Sequence, residues 1–237
     1  MNWEELIIKA LKGDVDFEKA LKEAAEKAPI EIASVLNDFP NNFNEKIQSI
    51  EEGSEILYML YCHDFAFRGE YLYRYPEEKR ESILKNSIDA AVDACSIARA
   101  LGENELEALY LHIAGNSLRK MGKSIDAEHK YVDCMEKYEV LIKSDLKLTN
   151  QYVGILNNLG LLYWKIKRYS QAEEIFKKAL NHIMPFVEKA PEKYAENFIM
   201  LSINLGVLYN ETQKYTEAIH YINKAFKKVR LHISKKI

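Results

Sequence analysis

The sequence predicts an all-α chain, a solenoid of antiparallel helix pairs, on three observations. Pro and Gly number only 5 and 9 among 237 residues, which leaves room for few loops, all short. Leu156, Leu159, Gly160 and Tyr163, followed by Tyr169, Ala172, Phe176 and Ala179, set out a pattern that returns 46 residues later as Leu205, Gly206, Tyr209, Tyr215, Ala218, Ile222 and Ala225. A weaker copy stands 45 residues upstream, in Ala114, Gly115, Leu118, Ala127, Tyr131 and Cys134. Lastly, Lys167-Arg168-Tyr169-Ser170 and Gln213-Lys214-Tyr215-Thr216 read as tight turns, with Ser170 and Thr216 expected as N-caps of the helices that follow.

Taken in order along the chain, residues 1–50 read as several short helices broken at Gly13, Pro29 and Pro40, an N-terminal cap region. Residues 51–101 read as a degenerate helix pair. Ala91, Cys95 and Ala98 reproduce the spacing of a second helix, and Tyr71 to Arg80 reads as an extended loop because Pro76 keeps Tyr75 out of helical geometry. Residues 102–237 hold the three repeats. A Gly inside a helix costs roughly 1 kcal/mol against Ala, so its return at 115, 160 and 206 implies close packing that offsets the loss. Gly160 and Ala172 are expected where two helix axes come nearest.

Composition excludes several classes of function. A formal net charge of −3 gives no general attraction to nucleic acid. The charge is uneven: residues 1–60 hold 13 acids and 6 bases, whereas 201–237 hold 7 bases and 2 acids, an asymmetry that could support head-to-tail association. Cys62, Cys95 and Cys134 form no CxxC pair and lie in apolar helical patterns, which points to a reducing compartment. The opening Met1-Asn2-Trp3-Glu4-Glu5 is not a secretion signal, and no stretch approaches a membrane span, so a soluble, cytoplasmic protein without a membrane partner is expected. No HExxH, GxxxxGK[ST] or GxGxxG is present. Cys62, His63 and Asp64 are neighbours that point about 100° apart on a helix, and His112 and His129 lack a paired acid or thiolate at metal-ligand spacing. No catalysis, cofactor or metal is expected.

The segment NNLGLLY with its following YSQAEEIFKKAL resembles the tetratricopeptide repeat family. The spacing exceeds the usual repeat and is similar to kinesin light chain-like repeats and the related bacterial peptide-sensing regulators. Leu156 and Ser202 stand where the family often has Trp, and Pro185 only approximates its closing Pro. The resemblance implies a right-handed superhelical solenoid whose first helices line a concave groove for a polypeptide.

On such a groove, the helical phase that buries Leu159 and Tyr163 leaves Asn157, Asn158, Leu161 and Lys165 as candidate contacts, with Asn204 and Asn210 on comparable faces and Asn116 beside Gly115. An amide donates and accepts, so a ladder of Asn can pair with the backbone of an extended ligand; the alternative is that these amides bond to neighbouring backbone. The family's carboxylate clamp for an acidic C-terminus is largely missing, since His112, Met200 and Asn204 replace its basic members. Tyr58, Tyr61 and Phe65 line one helix face, and with Tyr71 and Tyr73 close behind they form a possible aromatic contact. The basic C-terminal helix reads as a solvated face. The expected function is a non-enzymatic scaffold or adaptor for an unidentified protein or peptide. The alternatives are a regulatory peptide sensor, or a self-assembling protein, such as a homodimer formed through Leu208, Ile219 and Ile222 of the C-terminal repeat.

Overall fold

The computed structural model describes residues 66, 68, 69, 72–100 and 102–233, all within the unit Phe65–Ile237. Residues 1–50 lie outside the described residues, as do Tyr58, Tyr61 and Tyr71. Among the described residues the architecture is all-helical, a helical solenoid: α1 (Glu77–Ala100), α2 (Asn104–Lys120), α3 (Ser124–Ser144), α4 (Thr149–Lys165), α5 (Tyr169–Lys189), α6 (Pro191–Glu211) and α7 (Tyr215–Ile233). Each helix packs on its neighbours in the chain, and the first helices of successive pairs, α2, α4 and α6, also lie side by side.

α1 begins directly after Pro76, with Glu77 and Glu78 placed where the helix dipole favours acids. Its buried residues Leu84, Ser87, Ala91, Ala94, Cys95 and Ala98 follow the helical period, and their small size lets α2 approach. The loop before it is shorter than expected: Leu72–Arg74 form a 3₁₀ turn and Arg80 is already helical. At the foot of α1, Glu107 of α2 is 2% exposed and is held by Arg99 at 2.7 Å and Lys137 at 2.6 Å. Burial pushes its carboxyl up, but the hydrogen bonds from Lys137 and Arg99 outweigh that and bring it below the usual range.

The repeated glycines carry the pairing of helices. A Cβ on Gly115 would stand 2.7 Å from the Tyr131 ring, on Gly160 2.6 Å from the Phe176 ring, and on Gly206 2.7 Å from Ile222. The near neighbour of Gly160 is therefore Phe176 and not Ala172, which is buried one turn earlier on the same helix.

The turns close without the expected hydroxyl caps. Ser170 and Thr216 lie inside α5 and α7, and the capping position of α5 is Arg168, whose side chain makes no capping hydrogen bond. A left-handed residue closes each pair in their place: Gly122 at φ 78°, Lys167 at 63° and Gln213 at 62°. The next amide then donates back across five residues, Lys123 to Leu118 at 2.9 Å, Arg168 to Tyr163 at 2.8 Å and Lys214 to Tyr209 at 2.8 Å. Pro185, the approximate closing Pro of the family pattern, lies inside α5, and it is Pro191 that opens α6.

Two substitutions test this account in opposite directions. Gly160→Ala is expected to cost about 1–3 kcal/mol by forcing the Phe176 ring aside, and Lys167→Gly to gain about 1 kcal/mol by removing left-handed strain. Urea unfolding of the full chain measures both, and equal stabilities for the two variants would contradict the geometry.

Candidate functional site

The first helices are joined by side-chain amides. Asn204 of α6 donates to Asn157 of α4 at 2.8 Å, and two turns earlier Asn197 donates to Asn150 at 3.0 Å. Asn150 in turn donates to the Lys193 carbonyl at 3.4 Å. On the other side, Asn158 Nδ2 donates to Asn116 Oδ1 at 3.1 Å and lies 2.8 Å from His112 Nε2. An amide nitrogen only donates, so His112 Nε2 is the acceptor in this contact. The Tyr131 hydroxyl completes this set by donating to Asn116 Oδ1 at 2.7 Å. The ring that Gly115 admits thus brings its hydroxyl to the next residue of the same helix.

These bonds sort the residues expected in the groove. Asn157 and Asn116 are buried, at 5% and 7% exposure, beneath the surface where a facing ligand was expected to meet them. Asn158 and Asn204 are half-buried and already bonded to neighbouring helices through side chains, not through backbone. Leu161 is half-buried, and Lys165 and Asn210 are exposed. Tyr73 is 72% exposed in the turn before α1.

Helical phase defines the open face. At 100° per residue, Gly154, Leu161 and Lys165 of α4 fall between Asn150 and Asn157, which reach α6, and Asn158, which reaches α2. The matching positions one repeat on are Met200 and Val207, half-buried and 39% exposed. Sequence reasoning missed Gly154, Met200, Val207 and the Asn150–Asn197 rung. A signal for the rungs was present, since both Asn pairs that join α4 to α6 are spaced by 47 residues, one more than the glycines.

Ion pairs tie the outer helices across repeats. Arg168 meets Glu128 at 2.8 Å, Lys178 meets Glu139 at 2.6 Å, and Lys214 meets Glu173 at 2.8 Å. Glu173 also accepts from Lys177 and from the Tyr209 hydroxyl at 2.9 Å. Burial would raise its carboxyl, but the bonds from Lys177, Lys214 and Tyr209 prevail and bring it down to about 2. Cys134, fully buried, points its thiol at the Ala108 carbonyl, and burial drives that thiol far above its ordinary value, so it is no nucleophile. Among the described residues no cluster of His, Cys, Asp or Glu is arranged to hold a metal, and no helix is long and apolar enough to cross a membrane.

The family model for the tetratricopeptide repeat matches residues 153–181 and 201–227, the helix pairs α4–α5 and α6–α7. These two helix pairs are tetratricopeptide repeats. The chain's helices superpose on the apo form of RapI with a TM-score of 0.69 at 16% identity, covering 99% of this chain and 73% of RapI. BtubC (BKLC) from P. vanneervenii gives 0.55 at 16% identity, with 98% and 92% covered. A Rap protein complexed with competence and sporulation factor gives 0.51 at 14% identity, with 96% and 75% covered. At these identities the likeness is one of fold. No curated protein matches the sequence.

The amide rungs and Glu173 each yield a measurable signature. A double-mutant cycle of Asn157→Ala and Asn204→Ala should return a coupling of about 0.5–1.5 kcal/mol, with additive losses counting against the rung. The depressed Glu173 carboxyl contributes stability that is present above the ordinary value of 4.5 and lost as pH falls toward about 2. The stability advantage of the native chain over Glu173→Gln should therefore shrink across that window, and an advantage that persists at the acid end would refute the assignment.

Proposed function

We propose that the face formed by α2, α4 and α6 binds a polypeptide segment, and that the chain is a non-enzymatic interaction scaffold. The carrying observation is the line Leu161, Met200 and Val207, which stays accessible to solvent between the amide rungs. The apolar area that these side chains leave exposed adds nothing to the chain's own core and is open to contact with a partner. Tetratricopeptide repeats stack into solenoids with extended binding surfaces, which supports the reading. The Rap protein complexed with competence and sporulation factor illustrates that this fold accommodates a bound factor. The rungs act as spacers that hold the first helices at a set distance, and Asn158 and Asn204 keep spare acceptor capacity for a ligand backbone.

A second reading rests on a separate surface. Ile203 of α6 and Tyr215, Ile219 and Phe226 of α7 are 43%, 58%, 62% and 69% exposed. Phe226 stands one repeat after Leu180, which is only 2% exposed, so it occupies a position that a further helix would cover. A second copy of the chain is one such cover. Leu208 and Ile222 do not belong to that surface: Leu208 is buried, and Ile222 packs on Gly206.

Random dodecapeptides selected by display on the full chain test the first reading. Leu161→Glu and Val207→Glu should each weaken the selected peptides about ten-fold or more with little change in melting temperature. Unaltered affinity in both variants would end the groove reading. For the second reading, light scattering coupled to size exclusion should show a dimer that Phe226→Glu dissociates; a monomer at every concentration dismisses it.

A further inference from the structure

Three glycines of the first helices have a visible reason to be glycine, since Tyr131, Phe176 and Ile222 stand where their Cβ atoms would be. Gly154 has none. A Cβ placed on it meets nothing within 4 Å, and its φ is not in the left-handed region, so neither packing nor backbone geometry calls for glycine. It nevertheless sits inside α4, where Gly costs roughly 1 kcal/mol against Ala. Its position is the centre of the open face, in line with Leu161 and Lys165 and flanked by the rungs to α2 and α6. Lys165, at the end of that line, is exposed and forms no ion pair among the described residues.

We propose that a polypeptide bound on this face seats a bulky apolar side chain, aromatic by preference, on the bare backbone of Gly154 and directs an acidic residue toward Lys165. The proposal rests on the groove reading above and specifies its partner. The occupant follows from the chain's own usage: where glycine opens the wall of a first helix, the side chain that enters is Tyr, Phe or Ile. A ring laid on glycine backbone gains contact over its whole face, and any Cβ at 154 would hold it off. The charge preference follows from Lys165, a cation that an acidic residue in the ligand would complete.

The experiment compares dodecapeptides selected on the full chain for their affinity to Gly154→Ala, Gly154→Leu, Lys165→Glu and Leu161→Glu, with a melting curve for each variant. The peptides should share one aromatic or large aliphatic position and one acidic position. Gly154→Ala should melt above the native chain yet bind about ten-fold more weakly, Gly154→Leu should bind more weakly still, and Lys165→Glu should weaken peptides that carry the acid. Binding that is lost in Leu161→Glu but kept in both Gly154 variants overturns the proposal and leaves the groove reading standing. Binding indifferent to all four substitutions, or no selected peptide at all, overturns both. A Gly154→Ala chain that melts lower than the native one also overturns it, because the glycine would then serve the chain's own packing.

Discussion

At Gly115, Gly160 and Gly206 the second helix of each pair presses a side chain from sixteen residues later onto bare backbone, closer than any Cβ would allow. The rest of the repeat array follows from this contact. It sets how near the two helices of a pair come, and so which residues on the outer flanks of the first helix can meet the next repeat. In the first pair it goes further, because the Tyr131 ring that Gly115 admits also delivers a hydroxyl to Asn116, which accepts from Asn158 of the next repeat. Packing inside one pair and hydrogen bonding between pairs are thus two ends of one side chain. The left-handed turn residue seven positions after each glycine completes the unit by returning the chain at a fixed place.

The glycine spacing, the helix pairs and the close approach were legible because each is a local pattern with one physical cause. The turns were less so. Ser170 and Thr216 have the chemistry of N-caps, but the six-residue closure centred on Lys167 and Gln213 left those caps no role, and nothing in a Lys or Gln announces a positive φ. Gly122 at the matching place in the first repeat was the available hint.

The site was partly legible. Helical phase set Asn158, Leu161 and Lys165 toward the groove and Asn204 on a comparable face; in the structure Lys165 is exposed and the other three are half-buried. The same reasoning set Asn157 on the groove, whereas it is buried against Asn204, because phase alone does not say how close the neighbouring first helix comes. Amides that looked like a ladder for a ligand turn out to be occupied with one another. Their Nδ2 donors are spent between helices, which leaves the Oδ1 atoms of Asn158 and Asn204 and draws attention to the plain residues between them. Gly154 was passed over because a glycine outside the repeat register looks like noise until the structure shows that nothing fills the space beside it.

Contacts among these helices reach the adjacent pair and little further. The described helix pairs therefore form a linear series of interactions, in which each pair is stabilised by itself and by its flanks. A pair inserted or deleted within such a series leaves the other interfaces chemically unchanged. The number of repeats then becomes a quantity that gene duplication can adjust in whole steps, lengthening or shortening the surface without inventing a new core.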